Sequence, residues 1–376
     1  MSEDLSTARV GFVGAGQLAR MTQRAAIDLA VQLEVLAASP HDPAVLAGAG
    51  HRIGDPDDLD ALVALARDVD VVTLDHELVP NEHLEALEAA GHQVRPSAAA
   101  VRFAQDKRHA RTELHRLGFP VPAFAHVDDV AGVRAFAADH GWPVVLKAER
   151  GGYDGRGVVV VPGEAELGDA LPAGDWLVEE HLELAMELAV VVARRPSGHH
   201  VTYPVVETVQ VDGICRELVM PGRLPPEVGS AAVALAEEIV RAVDGTGIVA
   251  VELFLDDDGR LLVNELAMRP HNSGHATIEG SATSQFHNHL RAVLDWPLGE
   301  VAMRAPVAVM VNVLGGPASA PLGPLLPGAL AVPGANVHLY AKQPRPGRKI
   351  GHVTALGDEP AEALSRARAA TAALQR

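Results

Sequence analysis

Lys147-Ala-Glu-Arg150-Gly151-Gly152-Tyr153-Asp154-Gly155-Arg156-Gly157 decides how this chain is read. The run before it, Pro143 to Ala148, is apolar and reads as a strand. Lys147 therefore ends a strand and can aim its ammonium at the loop. Four glycines within residues 151–157 leave many backbone N–H groups uncovered. Such a mobile loop can fold over phosphates and exclude water. It is not the Gly-x-x-x-x-Gly-Lys-Ser/Thr phosphate loop. On this segment alone, a flexible hairpin tip with a snorkelling lysine is the other reading. Upstream, Gln105 to Leu117 has helical periodicity and stops at Gly118. Pro120 and Pro122 follow as a linker. Asp128 to His140 is a second helix, closed by Gly141. Downstream, Trp176 to Glu179 is a strand ending in carboxylates. Together these make a small α/β unit over about residues 105–182.

Toward the N-terminus, strands and helices alternate. Residues 9–14 read as a buried strand, and Gly14-Ala-Gly16-Gln17-Leu18-Ala19 opens a helix through about Ala30. Leu33 to Ala37 and Val69 to Leu74 are further strands, with a helix at Asp57 to Arg67. This alternation predicts a parallel, doubly wound domain ending near residue 100. Its glycine pattern matches a dinucleotide fingerprint, which seats a phosphate at a helix N-terminus. That reading needs a carboxylate at the end of the second strand for the ribose. The strand ends Leu36-Ala37-Ala38-Ser39 instead, and Glu34 sits too early. A tight strand-to-helix turn and a loop for another phosphorylated ligand are the alternatives.

Toward the C-terminus, strands at 188–194 and 201–208 precede a helix from Glu227 to Val243. Ile248 to Leu255 and Arg260 to Leu266 flank Asp256-Asp257-Asp258-Gly259, a hairpin signal. In the simplest register Glu252 faces Val263, and Glu265 is its diagonal neighbour. The shared face also carries Ala250, Phe254 and Leu261. Two like charges on an apolar face are costly without a cation between them. Mg²⁺ favours one or two carboxylates plus substrate phosphates. A register slip that moves one glutamate into solvent is the alternative. After Trp296-Pro297 the pattern is β-rich, and Pro360 to Leu374 closes the chain as a helix.

Three polar segments remain. Glu179-Glu180-His181-Leu182, with Glu187, could hold a base amine and ribose hydroxyls, or form a solvated acidic turn. The run Arg269-Pro-His271-Asn272-Ser273-Gly274-His275 reads as an anion or substrate loop. Pro270 and Gly274 argue against a helix that would make its histidines a metal pair. Lys342, Arg345, Arg348 and Lys349 gather in one turn, either a phosphate site or a solvated one.

Composition narrows the class of function. The 376 residues suit two or three domains. Aromatics are 3% of a chain that is 48% hydrophobic, so Ala, Val and Leu must build the core. A net charge of −18 argues against nucleic acid or a membrane surface as partner. The N-terminus shows no signal peptide and no run is long enough to span a bilayer. Cys215, the one cysteine, forms neither an internal disulfide nor a Cys-based zinc site. A cytoplasmic enzyme is expected.

These segments together carry a resemblance. Gly14-Ala-Gly16-Gln-Leu-Ala-Arg-Met21, Lys147 through Gly157, Tyr203-Pro-Val-Val-Glu207, Asn264-Glu265 through His275, Gln285-Phe286 with His289-Leu-Arg291, and Gly347 through His352 resemble the N5-carboxyaminoimidazole ribonucleotide synthetases. These are ATP-grasp ligases of purine biosynthesis, and the likeness spans about residues 9–354. It implies an α/β chain, α+β in parts, with three domains. Residues 1–104 would be Rossmann-like (pre-ATP-grasp), 105–184 the lid, and 185–376 the C-terminal domain with its β-rich end. ATP would meet Lys107, Lys147, the lid Gly152, Tyr153, Asp154, Gly155, Arg156, Gly157 and Val158, and Glu179, Glu180, His181, Leu182, Glu187, Gln210, Asn264 and Glu265. Gln210 stands where the family often has histidine, Met268 where it usually has proline, and Ala341 where glycine or aspartate is usual. Glu252 and Glu265 would bind Mg²⁺. Gly16, Gln17, Leu18, Glu77, Tyr153, Arg269, Lys342, Arg348 and Lys349 would surround 5-aminoimidazole ribonucleotide. Arg269, His271, Asn272, Ser273, His275 and Asp154 would serve bicarbonate chemistry, with His275 and Asp154 the candidate bases. A homodimer is implied. Another ATP-grasp ribonucleotide ligase and a nicotinamide-dependent oxidoreductase are the competing functions.

Overall fold

A computed structural model describes residues 8–152, 157–316 and 321–375. Its first sheet is parallel, in the order Gly50–Ile53, Gln32–Ala37, Arg9–Val13, Val71–Leu74. Val10, Phe12, Val35, Leu36 and Leu74 are buried, as expected for parallel strands covered on both faces. Helices Gln17–Asp28 and Leu59–Ala66 connect them, the second capped by Asp58 accepting from the Asp60 and Ala61 N–H groups. The edge strand Gly50–Ile53 has one large apolar residue in four, so periodicity did not reveal it.

A second sheet is antiparallel: Phe124–Val127, Trp176–Glu180, Val144–Ala148, Val158–Val161. Helix Val130–His140 covers it, and Val133, Phe136, Leu146, Trp176 and Val178 form its core. The expected helix Gln105–Leu117 is Lys107–Arg116, because Asp106 caps its start by accepting from the His109 N–H. A separate helix, Ala98–Gln105, precedes it.

Among the described residues, the third sheet has nine strands. Its main path runs Leu261–Ala267, Gly247–Asp256, Leu184–Arg194, Val206–Val211, Ile214–Met220, Val307–Leu314, Lys349–Gly357, Ala335–Leu339. His200–Thr202 pairs with Leu184–Arg194 off that path. The expected strand 201–208 is therefore two strands, interrupted at Tyr203-Pro204-Val205, where proline offers no ladder N–H. Helices Pro226–Ala242 and Pro360–Leu374 lie where their apolar spacing places them.

Helix Gln285–Val293 joins the sheets. Phe286, Leu290 and Val293 share a core with Val10, Phe12, Leu18 and Ala19 of the first unit. His289 accepts the Ile248 N–H at Nδ1 (3.1 Å), so its Nε2–H donates to Thr73 Oγ1 (3.0 Å). Burial pushes that imidazole down to about 3, leaving it neutral between the two strands. Among the described residues, no helix is long and apolar enough to cross a membrane.

Candidate active site

The hairpin brings the two glutamates closer than the simple register does. Leu255 pairs with Leu261, Leu253 with Val263, and Glu252 directly with Glu265. Asn264 is the extra residue of a β-bulge. This corrects the expected pairing of Glu252 with Val263. It also moves Leu261 to the opposite face, where it packs with Leu253, Leu255 and Val263. The bulge turns Asn264 toward the same cleft, where its Nδ2 donates to Glu252 Oε2 (3.3 Å). Burial, then Glu265 and Glu187, pushes Glu252 up to about 8. Burial raises Glu187 as well. Hard oxygen donors under mutual repulsion fit a divalent cation. Among the described residues, no three His, Cys, Asp or Glu side chains could hold a metal ion. Glu252 and Glu265 could hold such an ion, with its other positions left to phosphate oxygens and water.

Lys147 faces this pair from the second sheet. Its Nζ donates to Asn264 Oδ1 (3.2 Å) and pairs with Glu179 Oε2 (2.7 Å). Arg111 Nε donates to the other oxygen, Glu179 Oε1, at 2.6 Å. Burial pushes Lys147 down, and Glu179 opposes that. For Glu179 burial pushes up, but Arg111 and Lys147 outweigh it and hold the carboxyl at about 2. Both oxygens of Glu179 thus serve cations, and the carboxylate orients Lys147. Lys107, Arg111, Lys147, Asn264 and Glu265 line one small cavity.

Beside the polar loop, Glu77 receives Arg269 Nε at 2.5 Å and the Met268 N–H at 3.0 Å. Burial pushes Arg269 down, but Glu77 more than offsets it. Lys342 Nζ donates to Gln17 Oε1 (2.6 Å), joining the basic turn to the start of the first long helix. Arg348 is exposed and donates to the Gln343 carbonyl (3.3 Å), while Lys349 is half-buried. The N-terminal phosphate seat at Gly14–Ala19 is already filled. Asp75 accepts from the Gly16 N–H (2.9 Å) and the Ala19 N–H (2.7 Å). A Cβ on Gly16 would stand 2.3 Å from Asp75 Oδ2. This overturns the reading of that turn as a dinucleotide phosphate loop.

The polar loop is a 3₁₀ turn at Asn272–Gly274, not an α-helix. His271 Nδ1 lies 2.9 Å from Ser273 Oγ, and its Nε2 is 3.5 Å from Glu252 Oε1. Burial, then Arg269 and Lys349, holds His271 well below its usual range, so it is neutral. Asn272 and Asn312 exchange amide hydrogen bonds of 3.0 and 2.9 Å. Ser273 and His275 are enclosed, His275 at 0% exposure. His275 therefore does not face the cleft as a candidate base would.

Comparison with known proteins shows the family. Family models for a ribonucleotide synthetase preATP-grasp domain, an ATP-grasp domain and a phosphoribosylaminoimidazole carboxylase C-terminal domain match residues 7–105, 112–286 and 308–366. The N5-carboxyaminoimidazole ribonucleotide synthase of Mycobacterium bovis is 48% identical over 367 residues, covering 95% of this chain and 86% of the relative. That of Corynebacterium ammoniagenes is 44% identical, covering 93% and 88%. A crystal structure of the Aspergillus clavatus synthase with ADP and 5-aminoimidazole ribonucleotide superposes with a TM-score of 0.90, at 34% identity and 98% coverage of both chains. The chain belongs to the N5-carboxyaminoimidazole ribonucleotide synthetases.

The remaining expected site residues are distributed as follows among the described segments. Val158 pairs with Lys147 across the second sheet, and Gly157 accepts the Ala148 N–H at 2.7 Å. Gly152 ends the preceding described segment, and Tyr153, Asp154, Gly155 and Arg156 lie outside the described residues. Glu180 accepts the Ala123 N–H (2.8 Å), while His181 and Leu182 are half-buried beyond it. Gln210 is half-buried in the strand next to that of Glu187. Glu207 of the Tyr203–Glu207 motif is tied to Arg223, which gives it a structural task. Arg111 and Asp75 escaped the sequence reading. Each carried a signal: an arginine beside Ala110 and Leu114 on an apolar helix face, and the first polar residue after an apolar parallel strand.

Proposed function

We propose that this chain uses ATP to carboxylate 5-aminoimidazole ribonucleotide with bicarbonate, giving N5-carboxyaminoimidazole ribonucleotide, ADP and phosphate in purine biosynthesis. The observation that carries this reading is the Glu252–Asn264–Glu265 bulge, contacted by Lys147 on one side and by His271 on the other. Bicarbonate oxygen attacks the γ-phosphorus and ADP leaves, forming carboxyphosphate. The ribonucleotide amine then bonds to the carboxyl carbon, either directly or after release as CO₂. Phosphate departs and the amine loses a proton.

Glu252 and Glu265 would hold Mg²⁺, which when bound neutralises phosphoryl charge. Lys107 and Lys147 contribute positive charge from the chain itself. Arg269 and neutral His271 hold bicarbonate, and the glycine loop 152–158 shields carboxyphosphate from water. Gln17, Leu18, Glu77, Lys342, Arg348 and Lys349 receive the ribonucleotide. Domains of 1–104, 105–184 and 185–376, a homodimer and a cytoplasmic location complete the proposal.

The test is ADP release measured with bicarbonate and each candidate second substrate. Turnover should depend on 5-aminoimidazole ribonucleotide and yield one phosphate per ribonucleotide consumed. ATP turnover that ignores this ribonucleotide, or answers instead to another, refutes the proposal.

A further inference from the structure

We infer that Gln285 is a positioning residue that sets His271, and with it the bicarbonate step, from behind the cleft. The inference rests on the bicarbonate role proposed for Arg269 and His271. Gln285 opens the helix Gln285–Val293 and is 0% exposed. Its Oε1 accepts the His271 N–H (2.9 Å), and its Nε2 donates to the His271 carbonyl (2.8 Å). The side-chain amide therefore grips both main-chain polar groups of one residue. Only this amide orientation satisfies both bonds. Its second Nε2 hydrogen points to His275 Nδ1 at 3.0 Å. Nδ1 must then be an acceptor, so neutral His275 carries its proton on Nε2. That Nε2 is buried without a protein partner.

The local backbone is built for this grip. A Cβ on Gly274 would stand 2.3 Å from Gln285 Oε1, so only glycine admits the approach. Thr277 Oγ1 accepts the Gln285 N–H (2.9 Å) and donates to the Gly274 carbonyl (2.6 Å). The same helix packs on the first unit through Phe286, beside Leu18. The helix that carries Gln285 thereby joins the first unit to the loop carrying His271. Displacement of a reacting group by about 1 Å can cost on the order of 100-fold in rate.

The test compares Gln285→Met, Gln285→Glu and His271→Asn with the parent enzyme. Each is assayed for kcat, for KM toward ATP, bicarbonate and ribonucleotide, and for phosphate released per ribonucleotide consumed. Gln285→Met should lower kcat on the order of 10- to 100-fold, raise the phosphate ratio above one, and leave KM for ATP within about twofold. Gln285→Glu keeps the acceptor for the His271 N–H but places a carboxylate at His275 Nδ1. Its signature is a shift of the His275 proton to Nδ1, read from imidazole ¹⁵N resonances. If the methionine variant is insoluble, the glutamate variant decides by the same measurements. Parent-like kcat and phosphate ratio overturn the inference, as does an equal rise in all three KM values with the His275 tautomer unmoved. A parent-like His271→Asn enzyme instead overturns the bicarbonate role itself.

Discussion

Replacing Glu179 by Gln keeps the shape of a buried side chain and removes the charge that Arg111 and Lys147 share. Glu179 is 2% exposed, with the two cations at 2.6 and 2.7 Å. Burial opposes its ionisation, yet the cations hold it at about 2 against an ordinary 4.5. At about 1.4 kcal/mol per pKa unit, that difference corresponds to roughly 3 kcal/mol of folded-state preference for the carboxylate. Removing one partner of a buried ion pair costs about 3–5 kcal/mol, the same range. The variant should therefore lose about 3–5 kcal/mol at neutral pH. Trp176 lies on the same strand as Glu179, and Trp142 packs against that core. Denaturant unfolding followed by tryptophan fluorescence thus reports the affected unit. The sign with pH is set by the depressed folded-state value. The stabilisation is fully present above about 4.5 and is lost as pH falls toward about 2. Parent and variant curves should converge in acid. A neutral-pH difference under about 0.5 kcal/mol, within the spread of ordinary surface substitutions, would refute the triad argument.

Two further perturbations probe the same cleft. Asp75→Ala strips the Gly16 and Ala19 N–H groups of their acceptor. It should cost about 1–3 kcal/mol for each donor left unpaired and raise KM for the ribonucleotide more than for ATP; unchanged melting and KM would contradict the account. Burial and the neighbouring Glu265 push Glu252 up to about 8, so Mg²⁺ binding near neutral pH should expel a proton from the glutamate pair. The raised value means the metal-free fold loses stability as pH rises from the ordinary 4.5 through about 8, while Mg²⁺ affinity improves over the same window. Calorimetry in buffers of different ionisation heat should detect the released proton, and pH-independent affinity would count against it.

Much of this was legible because its signals are local. The apolar strands and the two long C-terminal helices follow from side-chain spacing. The glycine-rich run after Lys147 and the paired glutamates of the hairpin marked the residues proposed to meet phosphate and metal. Short or weakly patterned elements, such as Gly50–Ile53, were not legible, because neighbouring strands supply what their own residues lack.

By itself, the sequence determined which chemistry the chain carries: cations on an acidic background, a carboxylate pair on a hairpin, and an ordered motif set matching one ligase family. Tertiary structure decided which of those groups remain available to ligands. Glu179 is taken by Arg111 and Lys147, residues 68 and 32 positions away, and the helix N-terminus at Gly16 is taken by Asp75. His275, the last residue of the polar loop, is enclosed beside Gln285. The physical reason is shared by Glu179 and Gly16. A buried charge or N–H is stabilised by a partner, and that partner comes from whichever distant segment the packing brings within about 3 Å.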